Sequence, residues 1–211
     1  MSSTRVLVAD ANSSDGTPEI VTGFRDRLNV SVIRGGMPSV GRNQGAAQAD
    51  TPYILFLDAD VELADRSLIR RCVELAKRKG LHCVTTNIVC NDGIWIDKMF
   101  YVASDCFQYL SYLHRPYATG MFMFFDRKKF WELGGFNEQI LFAEDYRLSL
   151  QVEQKRFAIV RGGVYTTNRR FKRMGHVRVG LLFLKTGLNY WNEKHFLRDH
   201  KYWAEPDTLP R

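Results

Sequence analysis

Five apolar residues in a row, Tyr53-Ile54-Leu55-Phe56-Leu57, run straight into Asp58-Ala59-Asp60. An apolar run without polar alternation predicts a strand buried on both faces, as in a parallel sheet with helices on either side. That points the chain towards the α/β class. The two acids add a second constraint. Carboxylates at alternate positions of an extended chain point the same way, and they repel unless a cation lies near both. In open α/β sheets ligands bind beyond the carboxyl ends of the strands, where Asp58 and Asp60 stand. A hard divalent cation suits such a pair, and Mg2+ commonly completes its shell with substrate phosphates. Asp-x-Asp is at least as often an ordinary turn, so the pair alone leaves both readings open.

The segments on either side keep an alternating rhythm. Arg5–Asp10 (RVLVAD) reads as a buried strand that also ends in an acid, Asp10. Thr17 followed by Pro18 marks a helix start, with Ile20, Phe24 and Leu28 at helical spacing. VSVIRGG is a short strand, and SVGRNQGAAQA is a helix of small residues able to lie close to a sheet. Residues 65–79 form a helix stopped by Gly80, and HCVTTNIVC is a further strand. This succession predicts a doubly wound, mostly parallel sheet flanked by helices. After Asp92 the rhythm changes. An aromatic-rich helix covers 95–114, YATGMFMFFDRKKF contains a strand, WELGGFNEQI is a turn, AEDYRLSLQVEQKR is a helix, and FAIVRGGVYTT is a final strand. From Val177 onward, Leu181, Leu184, Leu188 and Trp191 make a stripe at helical spacing. The expected organisation is one α/β domain over 1–175, in halves 1–92 and 93–175, followed by an amphipathic, basic helical tail over 176–211.

A chain of 211 residues is enough for one substantial core. Its net charge of +7 is unevenly spread: residues 1–154 hold 17 Lys and Arg against 19 acids, and residues 155–211 hold 13 against 4. Such a tail suits an anionic partner, a phosphate or a lipid surface, and a solvated basic face accounts for it equally. No nucleic-acid-binding motif accompanies the charge, so nucleic acid is not the expected partner. The four cysteines, Cys72, Cys83, Cys90 and Cys106, form no CxxC pair and read as reduced core residues rather than a zinc site. The opening MSSTRVLVAD reads as no secretion signal, and no apolar run reaches the length of a membrane span. The expected location is cytoplasmic, with peripheral attachment to the inner face of the membrane if the apolar stripe meets lipid.

Four motifs occur in order: VLVADANSSDGT, GRNQGAAQA ahead of YILFLDAD, TGMFMFFDRKKFWELGGFNE, and FAEDYRLSLQ. Together, over roughly residues 5–175, they resemble the family-2 glycosyltransferases, inverting enzymes of GT-A fold that use nucleotide-sugar donors. The resemblance implies a nucleotide-sugar half at 1–92 and an acceptor half at 93–175. It implies that Asp10 contacts the nucleoside base, that Arg42 lies near the base and diphosphate, that Asp58 lies near the ribose, and that Asp60, with Asp58, holds Mn2+ or Mg2+. Gly120 falls where a side chain would intrude on the donor sugar, although a turn at a strand entry explains it as well. Glu144 and Asp145 match the family's acid pair, with Asp145 as the general base that takes the acceptor hydroxyl proton. Acids also simply favour a helix N-terminus. Arg147 stands where the family often has a second aspartate. Arg169, Arg170, Lys172 and Arg173 are candidates for diphosphate or headgroup binding. His176 and His195 are weak candidates for a third metal ligand.

Members of the family normally begin with a strand and helix ahead of the stretch matching RVLVAD, and here no later segment plainly replaces them. That leaves a central strand without a neighbour, an edge that invites association of copies. The expected activity is metal-assisted, inverting transfer of a hexosyl group from a nucleoside-diphosphate sugar to a lipid-linked or saccharide acceptor in cell-envelope polysaccharide synthesis. The competing expectation is a degenerate glycosyltransferase-like domain that binds or scaffolds without turnover.

Overall fold

The computed structural model describes residues 4–203. In chain order the strands are β1 (Arg5–Asp10), β2 (Asn29–Arg34), β3 (Tyr53–Leu57), β4 (Glu62–Leu63), β5 (Cys83–Cys90), β6 (Phe122–Asp126) and β7 (Phe157–Thr166). The helices are α1 (Thr17–Thr22), α2 (Pro38–Ala47), α3 (Leu68–Lys79), α4 (Trp95–Leu110), α5 (Arg127–Glu132), α6 (Glu144–Ser149), α7 (Arg169–Met174), α8 (His176–Leu188) and α9 (Glu193–Leu197).

The expected α/β fold forms, with a sheet more mixed than expected. The main sheet runs β3-β6-β5-β7-β4. Only β5 and β7 pair in parallel within it; β6 is antiparallel to both β3 and β5, and β4 is antiparallel to β7. The strand period of two sends alternate residues to opposite cores. Ile54 and Phe56 of β3 join Met123 and Phe125 of β6 on one face, with Ala46 of α2, Phe130 of α5 and Leu148 of α6. Tyr53 and Leu55 join Phe122 and Phe124 on the other, with Leu68, Cys72 and Ala76 of α3. The continuous apolar run of β3 is thus explained by packing on both of its faces.

β1 and β2 form a separate parallel pair, and among the described residues no strand joins β1 to β3. Helix α2 spans the two sheets. Gly41 lies against Ala9 of β1, and Ala46 packs with Ile54 and Phe56 of β3. One expectation needs correction here. RVLVAD does form a strand, but it is not buried: Val6 is 37% exposed, and the apolar face of α1 is open at Ile20 (63%) and Phe24 (44%).

The tail is folded against the body. Val179 of α8 and Phe196 of α9 are fully buried, and the Phe196 carbonyl accepts a hydrogen bond from the Leu141 amide. Segment 169–174, expected only as a basic stretch, forms α7 with Phe171 and Met174 packed inward. The part of the tail from residue 204 lies outside the described residues. Cys72, Cys83 and Cys90 are buried as expected, whereas Cys106 is exposed on α4, because it falls on that helix's outer face.

Candidate functional site

Arg42 projects from α2 and joins two acids far away in sequence. One terminal nitrogen donates to Asp58 Oδ1 at 2.7 Å, and the other donates to Glu144. Asp58 directly follows β3, and Glu144 opens α6. The two acidic motifs meet through this guanidinium. Burial works against the Arg42 charge, but Asp58, Glu144 and Asp145 outweigh it and raise its pKa, so it stays charged. Burial pushes the Glu144 carboxyl up, the neighbouring Asp145 charge adds to this, and Arg42 opposes it.

Asp145 lies beside this pair. Its Oδ2 accepts from the Gly120 amide, and its Oδ1 accepts from the Tyr146 amide at 2.7 Å. Burial raises its pKa, while Arg42 and the two amides pull it back. Ala143, just before the acid pair, has φ +58, a left-handed conformation that costs a residue with a Cβ on the order of 1 kcal/mol. This turn starts α6 with Glu144 and Asp145 both aimed inward.

Gly120 has a local role that its sequence did not disclose. A Cβ there would lie 2.3 Å from Arg42 Nη2, so the missing side chain is what lets the guanidinium reach both acids. Arg42, Asp58, Gly120, Glu144 and Asp145 therefore form one connected group. Asp60 stands beside it but more exposed, with Oδ2 paired to Arg169 of α7 at 2.7 Å. Asp10, at the end of β1, is engaged locally: its Oδ2 caps the turn through the amides of Asn12 and Ser13, both at 3.0 Å, and the Ser13 side chain foremost, with these amides, holds its pKa down.

Among the described residues no three His, Cys, Asp or Glu side chains converge as a cage for a metal. Asp58 and Asp60 are nonetheless an all-oxygen pair, each with a single carboxylate oxygen in an ion pair. That donor set suits a hard cation whose other positions are filled by water and phosphate oxygens. His176 and His195 are committed elsewhere. His176 Nε2 contacts Asp97 at 2.5 Å, and His195 Nε2 contacts Thr186 at 2.9 Å.

Two features of the site were not legible from the motifs. Arg147 donates to the Tyr190 carbonyl at 2.9 Å and stacks over Phe196 at 5.0 Å, tying the tail to the helix that carries Asp145. Arg170 lies over Tyr202 at 3.9 Å and donates to its carbonyl. Nearby acids and burial hold the Tyr202 hydroxyl up at about 12, with burial the largest cause. The clustering of aromatic and basic residues in 190–203 was a signal, but one without a unique partner.

The profile of glycosyl transferase family 2 matches residues 2–134. No curated protein matches the chain in sequence. Among solved structures, the chain is similar to a mannosyltransferase, PcManGT from Pyrobaculum calidifontis, solved with GDP-Man and Mn2+. That similarity has a TM-score of 0.64 at 19% identity, over 87% of this chain and 55% of the other. It is also similar to residues 1–349 of TarS from S. aureus, solved with UDP, with a TM-score of 0.57 at 19% identity, over 77% of this chain and 51% of that one. The chain spans about half the length of these structures, and at this identity they speak for the fold alone. The fold is the expected GT-A type, and the chain belongs to glycosyl transferase family 2.

Proposed function

We propose that this chain transfers a hexosyl group from a nucleoside-diphosphate sugar to a hydroxyl of a lipid-linked or saccharide acceptor, with inversion at the anomeric carbon. The observation that carries the reading is the Arg42 bridge between Asp58 and Glu144, which sets Asp145 beside the acids that follow β3. Asp145 takes the acceptor proton as the acceptor oxygen attacks the anomeric carbon. The bond to the nucleoside diphosphate breaks on the opposite face, and the electron pair leaves with the phosphate. A carboxylate with a raised pKa is a stronger base than an ordinary aspartate, which suits this role. Asp58 and Asp60 would hold a divalent cation, Mn2+ or Mg2+, which when bound supplies Lewis-acid charge for the leaving diphosphate. Arg169, already at Asp60, is in reach of the same phosphates. Asp10 would contact the nucleoside base.

One observation favours a second reading, a non-catalytic binding domain. The strand that carries Asp10 is not hydrogen-bonded into the main sheet among the described residues, and Asp10 is occupied by its own turn. Incubation with radiolabelled UDP- and GDP-sugars, Mn2+ and a panel of saccharide and polyprenyl-phosphate acceptors separates the two. Transfer with an inverted anomeric configuration in the product's NMR spectrum supports the enzyme. Nucleotide binding without turnover on any acceptor supports the second reading.

A further inference from the structure

Helix α4 packs only one side of itself. Asp97 and Gln108 are buried, yet Trp95 is 72% exposed, Met99 56%, Val102 54% and Phe107 64%. A shallow apolar depression lies along this outer side, lined by Met99, Val102, Ala103, Cys106, Phe107 and Leu110. Helix α8 is built the same way. Val179 is fully buried, while Val177, Leu181, Leu184 and Leu188 face outward, Val177 at 76% and Leu181 at 61% exposure.

The two helices are fastened to each other through their inner sides. Phe100 of α4 lies on Gly180 of α8 so closely that a Cβ there would meet the ring at 3.0 Å. His176, at the start of α8, contacts Asp97 in the first turn of α4 at 2.5 Å, and its ring stacks on Phe171 at 5.2 Å. Locking the inner sides together leaves both apolar outer sides open to solvent. Exposed apolar patches of this extent are rare on soluble surfaces without a partner.

The charge around the patch identifies the partner's chemistry. The charged residues of α8 are Arg178 and Lys185, both basic. On α4 the only charged residues are Asp97, Lys98 and Asp105; Asp97 is buried, and Asp105 is half-buried and holds the Asn87 side chain and the Ile88 amide. This basic charge repels a second copy of itself and attracts an anionic surface. None of the described helices is long and apolar enough to cross a membrane, so the geometry suits a helix pair lying on a bilayer rather than in it.

We propose that the outer faces of α4 and α8 form a single apolar plate, accompanied by the basic residues Lys98, Arg178 and Lys185 of the same two helices, that docks on the surface of an anionic lipid bilayer. This docking is independent of the transfer reaction, since none of the plate residues belongs to the Arg42 group.

The test uses the whole chain and vesicles of phosphatidylcholine alone or with about one third of the anionic lipid phosphatidylglycerol, whose surface attracts Lys and Arg. Val102→Glu and Leu181→Glu place a charge at exposed positions of α4 and α8, and circular dichroism and melting temperature check that each variant keeps the fold. The expected result is co-sedimentation at least about tenfold stronger with the anionic vesicles, released by high salt, and lost by about tenfold or more in each variant alone. Absence of vesicle binding, or binding unaltered by either substitution, overturns the proposal. An effect of Leu181→Glu without one of Val102→Glu overturns the two-helix plate. A dimer in sedimentation velocity that both variants dissolve, without vesicle binding, would make the face a contact between copies and overturn it as well.

Discussion

Arg42 is the residue on which the site depends. It is nearly buried and holds Glu144, which is 4% exposed, so removing it leaves a buried carboxylate without its partner. Arg42→Ala is expected to cost about 3–5 kcal/mol of unfolding free energy, read by chemical denaturation. A second prediction concerns pH. Burial holds the folded-state pKa of Asp145 above the ordinary aspartate range. The native state therefore favours the protonated form; that contribution is full below the unfolded pKa and is lost as pH rises through the folded one. Asp145→Asn should raise the melting temperature at pH 7 relative to the wild type, and the gain should shrink toward pH 4. A gain that did not change with pH would contradict the burial argument. Asp58, Asp60, Glu144 and Asp145 could be read from their motifs because each is a charged group at an element boundary. The dependence of Arg42 on Gly120 could not. It arises because the Arg42 guanidinium occupies the space that a side chain at position 120 would take, a contact between distant stretches of chain that no local pattern encodes.

At the scale of elements, the sequence marked most strands and helices by period and punctuation. β3 was legible because its apolar run had to be buried on both faces, and α3 because Gly80 stops it in a left-handed C-cap. α8 was only half legible. Its exposed stripe, Val177, Leu181, Leu184 and Leu188, has the same helical period as a core face, while the buried contacts fall on Val179 and Thr186. A helix apolar on more than one side carries no signal as to which side packs. β1 misled for a related reason: its apolar residues fit a central strand, but its only strand neighbour among the described residues is β2. The tail's packing gives a third prediction. Phe196 is fully buried and lies under Arg147, so Phe196→Ala is expected to cost about 3–5 kcal/mol in denaturation, and removal of everything after Gly175 should leave an aggregation-prone remnant.

Across the whole molecule, the site draws on four separated stretches of chain: α2, the end of β3, the turn before β6, and the turn into α6. The tail then closes against α6 through Arg147 and Tyr190. Arg169 of α7 is already on Asp60, so diphosphate and cation should bind together. Titration calorimetry of a nucleoside diphosphate is expected to show binding strengthened by Mn2+, with the metal effect lost in Asp60→Asn; equal affinity with and without Mn2+ would remove Asp60 from the metal role. The central claim is that Asp145 acts as the base of a sugar transfer while the rest of the group holds the donor. The most direct test measures donor affinity and transfer rate on the same preparations of wild type and Asp145→Asn. The account expects transfer to fall by about 10²–10⁴-fold, the usual contribution of a general base, with donor affinity changed by less than about threefold. Near-normal transfer by Asp145→Asn, with the donor still bound, would contradict it.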